Sequence, residues 1–168
     1  FVRMSRFPWR DAFSGWTRED EQAVNEALYV AGAEAFALRS MSALSGGERQ
    51  RAFIAAALAQ GTDVLFLDEP LNSLDYQHQV EVLELCRELN QVLGTTIVAV
   101  LMVTHDVNAA LSSADRVLAL RDGRICHEGP SRDFWDVAIL GEVFGTDFCS
   151  FLGAGQTIPF VAPARVLR

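Results

Sequence analysis

Ser45, Gly46 and Gly47 place a hydroxyl and two adjacent glycines directly before a helix-like stretch. Glycines let a foreign group approach the backbone, and bare N–H groups at a helix N-terminus attract phosphate. Ser45 followed three residues later by Glu48 is also a capping box, in which each side chain bonds the other residue's N–H. A helix cap alone and a phosphate site are therefore both open interpretations, although a cap does not explain two glycines.

Two adjacent carboxylates, Asp68 and Glu69, end the apolar run Val64–Leu67. An acid at the end of a buried strand is costly unless it has a partner or a function. Asp68 is placed to hold Mg²⁺ through water, and Glu69 to orient and deprotonate an attacking water. The alternative is that both acids begin a loop and face solvent.

Other polar residues are ambiguous when taken singly. In Asn72–Asp75, Asn and Ser suit a turn and Asp75 suits the N-cap of the next helix. His105 ends an apolar run, where a lone histidine is more often structural than catalytic. His78 and His127 have no such context and receive no role. The three cysteines, Cys86, Cys126 and Cys149, show neither disulfide nor metal spacing, which predicts small buried side chains and favours a reducing compartment.

Helices and strands alternate along the chain and must position these residues. The pattern predicts helix from Glu19 to Leu38 after a Thr17–Asp20 start, then helix at 46–60, strand at 63–70, helix at 76–94 closed by Gly94, strand at 95–106, helix at 107–114, a hairpin turning at Asp122-Gly123, helix at 131–145, and a strand or two beyond. This order predicts an α/β domain with a parallel sheet. Because ligands gather at the carboxyl ends of such strands, the 68–69 and 104–105 pairs are expected in one site.

Length, charge and composition limit the kinds of protein that this sequence can be. The chain has 168 residues and a net charge of −8, which argues against a nucleic-acid partner. The sequence contains no run of about 18 apolar residues, so no membrane span is predicted. The first residue is Phe1 rather than methionine, and the sequence starts in mid-pattern, which predicts a fragment.

As a joint set, these motifs resemble the ATP-binding cassette ATPases of ABC transporters over about residues 1–145. Leu44–Glu48 is similar to the LSGGQ signature with glutamate in the last place, Val64–Glu69 to Walker B with its catalytic glutamate, Asn72–Asp75 to the D-loop, His105 to the switch histidine, and Arg121–Pro130 to the hairpin that follows. Val2–Pro8 and residues 49–75 are most similar to importers of iron–siderophore complexes, with heme and cobalamin importers nearby.

The resemblance implies an α/β, P-loop NTPase-like fold, with flanking helices on a parallel sheet. It implies a helical subdomain at 1–45, the later part of a RecA-like ATPase core at 46–145 and an accessory tail at 146–168. It also implies a head-to-tail homodimer in which Ser45, Gly46, Gly47 and Glu48 bind the partner's ATP in trans, Asp68 positions Mg²⁺, Glu69 and His105 are catalytic, and Asp75 shapes the dimer contact. Arg49 and Arg51 are expected to face solvent or that contact.

The resemblance also implies the function. We expect an ATPase subunit of an importer, which lies on the cytoplasmic face of the membrane. Its partners are permease subunits and, indirectly, a substrate-binding protein. The alternatives are a soluble ABC ATPase that serves DNA repair or translation, and an inactive truncated remnant.

The sequence departs from the family pattern in two places. Walker A requires a lysine, and all 14 basic residues here are arginines, so this chain alone is expected to be inactive. The spacing from Glu69 to His105 is about three residues longer than the family pattern, and a bulge or loop must absorb the extra residues.

Overall fold

A computed structural model of the chain describes residues 1–9, 15–92, 99–155 and 157–164, and the side chains of all of these except 90–92. The chain divides into two compact units, Phe1–Val103 and Thr104–Arg168. No helix in the described parts of the chain is long and apolar enough to cross a membrane.

The first unit begins with helices. Its elements are a 3₁₀ segment Val2–Trp9, helix α1 (Arg18–Val30), short 3₁₀ turns Glu34–Phe36 and Met41–Ala43, helix α2 (Gly46–Ala59), strand β1 (Val64–Asp68), helix α3 (Tyr76–Val92) and strand β2 (Ala99–Val103). The predicted Thr17–Asp20 start of α1 is confirmed as a complete capping box. The predicted continuation to Leu38 is wrong, because Gly32 adopts a φ of 60° and turns the chain two residues after Val30.

Arg6 holds these helical pieces together. Its Nε is 3.0 Å from Asp20 Oδ1, and its Nη1 donates to the Ala59 carbonyl at 3.0 Å. Asp20 is only 3% exposed. A side chain from the 3₁₀ segment therefore contacts the start of α1 and the end of α2 together.

Strands β1 and β2 form the predicted parallel pair, in register from Val64 opposite Ala99 to Asp68 opposite Val103. The strand predicted at 63–70 is buried on one face only: Leu65 and Leu67 are buried, whereas Phe66 is 70% exposed. No bulge interrupts the five pairs, so the extra residues before His105 are not absorbed there. The predicted strand residues 95–98 and the helix stop at Gly94 lie outside the described residues.

The second unit is built from helix α4 (Val107–Ser113), strands β3 (Arg116–Arg121) and β4 (Arg124–Pro130), a 3₁₀ turn Ser131–Asp133, helix α5 (Val137–Phe144), and strands β5 (Phe148–Phe151) and β6 (Phe160–Pro163). The predicted hairpin is confirmed, with positive φ at Asp122 and Gly123. The predicted single helix at 131–145 is wrong, because Asp136 caps a separate helix there.

The C-terminal tail is part of this second unit. Strands β5 and β6 pair antiparallel, and Val161 is 2% exposed. Asn108 on α4 holds β6 through two bonds, to the Val161 carbonyl at 3.1 Å and from the Val161 N–H at 2.9 Å. Val161 joins a core with Leu111, Phe134 and Leu140. The division at 45 and 145 into three segments stays a prediction.

Candidate functional site

Ser45 is the N-cap of α2. Its Oγ accepts from the Glu48 N–H at 3.2 Å, and its own N–H donates to Glu48 Oε2 at 2.8 Å, so the capping box is complete. The first backbone bond of the helix runs from the Arg49 N–H to the Ser45 carbonyl. Helix geometry leaves the N–H groups of Gly46 and Gly47 without an acceptor in the helix, so they can donate to an outside anion.

Glu48 has partners within the chain. Besides the Ser45 N–H, its carboxylate accepts from Arg39 Nη1 at 2.7 Å. The Ser45 N–H and the Arg39 guanidinium together hold the pKa of Glu48 below its usual range, although partial burial acts the other way. These bonds explain glutamate here as a cap, and the expected contact of Glu48 with a partner's nucleotide stays a prediction.

Asp68 and Glu69 lie where β1 ends. Asp68 is exposed. Glu69 is half-buried and has a φ of 46°, and its N–H donates to the Val103 carbonyl at 2.9 Å. The Glu69 carbonyl accepts from the Asn72 N–H at 3.1 Å, which closes a turn. Both the adjacent strand and this turn therefore fix the backbone that carries the Glu69 carboxylate.

The described residues contain no cluster of three or more side chains that could hold a metal ion by themselves. Mg²⁺ bound with a nucleotide does not need one, because it takes one or two carboxylates and completes its shell with water and phosphate oxygens. Asp68, an exposed carboxylate beside Glu69, fits that pattern.

Asp75 caps α3, as predicted. Its Oδ1 accepts from the His78 N–H at 3.0 Å and lies 2.7 Å from His78 Nδ1. These two contacts hold the pKa of Asp75 below its usual range, against a smaller opposing effect of burial.

His78, which has no role in the sequence interpretation, covers one of the signature glycines. A Cβ placed on Gly47 would be 2.0 Å from His78 Cδ2. The other glycine, Gly46, lies beside the D-loop segment, at 3.4 Å from Leu74 Cδ2 on the same measure. The signature and the D-loop segment are thus direct neighbours in the first unit. The sequence signal that could reveal His78 is its place three residues after the capping Asp75.

His105 belongs to the second unit, where it is exposed at the entry to α4. The turn around it is fixed by Thr104 Oγ1, which accepts from the Asp106 N–H at 3.1 Å, and by Asp106, which caps α4 at Ala109. The expected joint site of His105 with Glu69 stays a prediction.

The two arginines on α2 differ. Arg49 is exposed and donates to the Leu44 carbonyl at 3.3 Å. Arg51 was expected at the solvent or at a dimer contact; the solvent-facing position is wrong, and the dimer contact stays a prediction. It is half-buried, donates to the Ala31 carbonyl at 3.2 Å and pairs with Glu81 Oε2 at 2.9 Å. Arg51 is therefore an internal link from α2 to α3.

All three cysteines are free thiols. Cys86 is buried as expected, and burial raises the pKa of its thiol to about 11, so it is unreactive at neutral pH. Cys126 and Cys149 are only half-buried, and each donates to a backbone carbonyl at 3.3 Å.

Comparison with known proteins shows which family the chain is similar to. Residues 3–72 match the ABC transporter family model. The petrobactin import ATP-binding protein of Bacillus anthracis is 40% identical over 169 residues, covering 94% of this chain and 61% of the relative. The iron(3+)-hydroxamate import ATP-binding protein of Bacillus subtilis is 42% identical over 146 residues, covering 87% of this chain and 53% of the relative.

The solved structures agree. An inward-facing ABC transporter of the metal-chelate type matches with a TM-score of 0.89 and 26% identity, covering 99% of this chain and 67% of that chain. The chain spans 61% and 53% of the length of these two curated relatives. The chain is thus similar to the ATP-binding proteins of ABC transporters, with residues 3–72 matching that family's model, and it has the α/β, P-loop NTPase-like fold of ABC ATP-binding domains.

Proposed function

We propose that the full-length protein is the ATP-binding and ATP-hydrolysing subunit of an ABC importer that takes up an iron–siderophore complex or a related metal chelate. The observation that carries this proposal is that several features occur together. One unit holds a glycine-rich helix start beside a D-loop segment, with two carboxylates at a strand end, and relatives with import functions align over most of the chain.

Glu69 is the general base in this proposal. Its backbone is held by the Val103 carbonyl and the Asn72 N–H, so the carboxylate is presented from a fixed turn. It orients a water and accepts a proton as that water attacks the terminal phosphate. Asp68 holds Mg²⁺ through water, and the ion supplies neutralisation of phosphate charge. His105 contacts the γ-phosphate from the start of α4.

Ser45, Gly46 and Gly47 bind the γ-phosphate of a partner subunit's ATP, with Glu48 at the edge of that contact. Because Ser45 Oγ already accepts from the Glu48 N–H, its hydroxyl proton is left to donate. The glycine N–H groups at the positive end of α2 add further donors. The 168 residues contain no lysine, so a phosphate-binding Walker A lysine must come from outside them.

The assembly follows from this arrangement. A second ATPase subunit packs head-to-tail, with Asp75 near the contact. ATP closes the dimer and hydrolysis opens it, and transmembrane permease subunits convert that cycle into transport. A substrate-binding protein acts through the permease. The ATPase lies in the cytoplasm, on the inner face of the membrane.

The central test is Glu69→Gln in the full-length protein. Because the amide cannot take the proton, we expect steady-state ATP hydrolysis to fall by about 100-fold or more. Phosphate release with Mg²⁺ and ATP measures this. Glu84→Gln, on an exposed part of α3, is the matched control and should hydrolyse ATP at the wild-type rate. An unchanged rate in Glu69→Gln would refute the assignment, and an inactive wild-type protein would favour a truncated remnant.

A second test concerns the 168-residue chain alone. Since it lacks the lysine of a cis phosphate loop, we expect weak ATP binding or none, and no hydrolysis. Isothermal calorimetry with Mg²⁺ and ATP measures the binding, with the full-length protein as the positive control. Tight binding by the chain alone would show that ATP is held by residues other than those proposed.

A further inference from the structure

The two signature glycines have different surroundings. On Gly46, an added Cβ would meet Leu74 Cδ2 at 3.4 Å and the Ser73 carbonyl at 3.7 Å, which are tolerable contacts. On Gly47 it would lie 2.0, 2.7 and 2.8 Å from three ring atoms of His78, distances that real Cβ atoms do not show. Neither glycine has a positive φ. The structure therefore requires glycine at 47 because of the His78 ring.

The His78 ring cannot swing away without loss. Its Nδ1 is 2.7 Å from Asp75 Oδ1, and the same oxygen accepts the His78 N–H at 3.0 Å. The side chain is 33% exposed, so it is partly enclosed. One turn further along, Arg51 pairs with Glu81 and links α2 to α3 a second time. The ring is thus fixed between the end of the D-loop segment and the first turn of α2.

We propose that His78 is a positioning residue that locks the signature helix start to the D-loop segment within one subunit. Its ring presses on Gly47 while its Nδ1 holds Asp75, so the phosphate-binding N–H groups and the D-loop keep one relative arrangement. This rests on the proposed function for the role of Ser45–Gly47. Any displacement of the D-loop by a partner subunit is then passed directly to the signature through the imidazole.

The test is a double-mutant cycle between Gly47→Ala and His78→Ala in the full-length protein. Alanine removes the three ring atoms that a Cβ on Gly47 would meet, whereas Asn keeps Cγ and would place its Oδ1 near the position of Cδ2 while its Nδ2 keeps the Asp75 bond. We expect Gly47→Ala alone to lower Tm by about 4 °C or more and kcat by about tenfold or more. In the pair Gly47→Ala with His78→Ala, the losses of Tm and kcat should be smaller than the sum of the two single losses, because the new methyl occupies the space that the ring leaves. Gly47→Ala with His78→Asn is the control and should show no such relief, since the overlap with Cβ remains.

Controls separate positioning from general stability. Gly46→Ala should leave Tm unchanged or higher, because alanine favours the helix and the space is available. His78→Ala, which loses both contacts, should lower kcat about tenfold or more without weakening ATP binding in calorimetry, since ATP is bound mainly by the other subunit. A purely structural role would change kcat only as far as Tm changes.

Additive losses in Gly47→Ala with His78→Ala would overturn the proposal, as would a wild-type kcat in His78→Ala. Failure of the proposed function gives a different result. A wild-type protein without ATPase activity would refute the function, whereas the Tm arm of the cycle would still decide whether Gly47 and His78 are coupled.

Discussion

The Ser45 hydroxyl has two roles, one in the helix cap and one in the proposed phosphate site. Its oxygen accepts the Glu48 N–H, and its proton is the proposed donor to phosphate. Those roles do not compete, because a hydroxyl can accept and donate at the same time. The helix cap and the phosphate site, which are alternatives in the sequence, are therefore compatible in the structure.

The capping role of Ser45 can be tested with Ser45→Ala, which removes the oxygen that accepts the Glu48 N–H. Loss of the cap is expected to lower the free energy of unfolding by about 1 kcal/mol, measured by urea denaturation. Ser45→Thr keeps the oxygen and is the matched control, with a stability near wild type. If Ser45→Ala unfolded at the same urea concentration as wild type, the cap would contribute nothing to stability.

The candidate residues were predictable to different degrees. Ser45, Asp68, Glu69 and Asp75 belong to contiguous motifs, so residue order alone makes them candidates, and their roles stay predictions. His78 was missed because its role depends on Gly47, which is 31 positions earlier and meets it only when α2 packs on α3. Contacts of that kind have no periodicity to read.

Among the elements, the 3₁₀ segment Val2–Trp9 buries only Val2, and a charged pair ties it to α1. Arg6 pairs with Asp20 at 3.0 Å between two side chains that are 15% and 5% exposed. Burial alone would raise the pKa of Asp20, but the bonds from Arg6 and Thr17 outweigh it and hold the pKa below its usual value. Glu81 also has a lowered pKa, because Arg51 and Gln77 bond its carboxylate.

These lowered carboxyl pKa values predict that the folded protein loses stability as the pH falls. A carboxyl whose folded pKa lies below its unfolded value stabilises the fold fully above the unfolded pKa, and loses that effect as pH falls through the folded pKa. With ordinary values of 3.8 for Asp and 4.5 for Glu, Tm should be flat above about pH 5.5 and fall toward pH 3. Circular dichroism across this range measures it.

Asp20→Asn gives the control. It should lower Tm at pH 7, because Arg6 loses its ionic partner, and it should flatten part of the decline below pH 5. A decline as steep as that of wild type would show that Asp20 does not contribute to it. Glu19→Gln, exposed in the same turn of α1, should keep the wild-type pH profile.

Element ends explain where sequence prediction failed. The capping boxes at Thr17 and Ser45 were visible because all their members lie within four residues. The end of α1 was missed because apolar spacing continues past it. Gly32 turns the chain there, and a Cβ on it would lie 2.8 Å from Arg51 Nη1. That contact joins two distant parts of the sequence, so periodicity could not show it.

For the molecule as a whole, the β1–β2 pair has one apolar face open. Val64, Phe66, Leu101 and Val103 are 41%, 70%, 51% and 54% exposed, and they alternate with buried or half-buried neighbours. Apolar patches of this kind favour association. The apolar run in the sequence predicted both strands correctly, but it could not show which face is covered, since a run of apolar residues fits burial on one face or two.

We expect the 168-residue chain to self-associate through this open face, and Phe66→Thr to weaken that association. Threonine keeps β propensity, and Phe66 contributes little to the core, so Tm should change little. Size-exclusion chromatography with light scattering gives the mass against concentration. Leu118→Thr, 52% exposed in the second unit, is the control and should associate as wild type does. Equal association in Phe66→Thr would exclude the face.

The left-handed backbone at Glu69 has a consequence for anyone who engineers this protein. A φ of 46° is unfavourable for glutamate by roughly 1 kcal/mol, but asparagine tolerates it. Glu69→Asn should therefore be as heat-resistant as wild type or more so, while it lacks the proposed base. A library selected only for survival at high temperature would enrich asparagine at position 69 and discard hydrolysis, because durability and turnover favour different residues there.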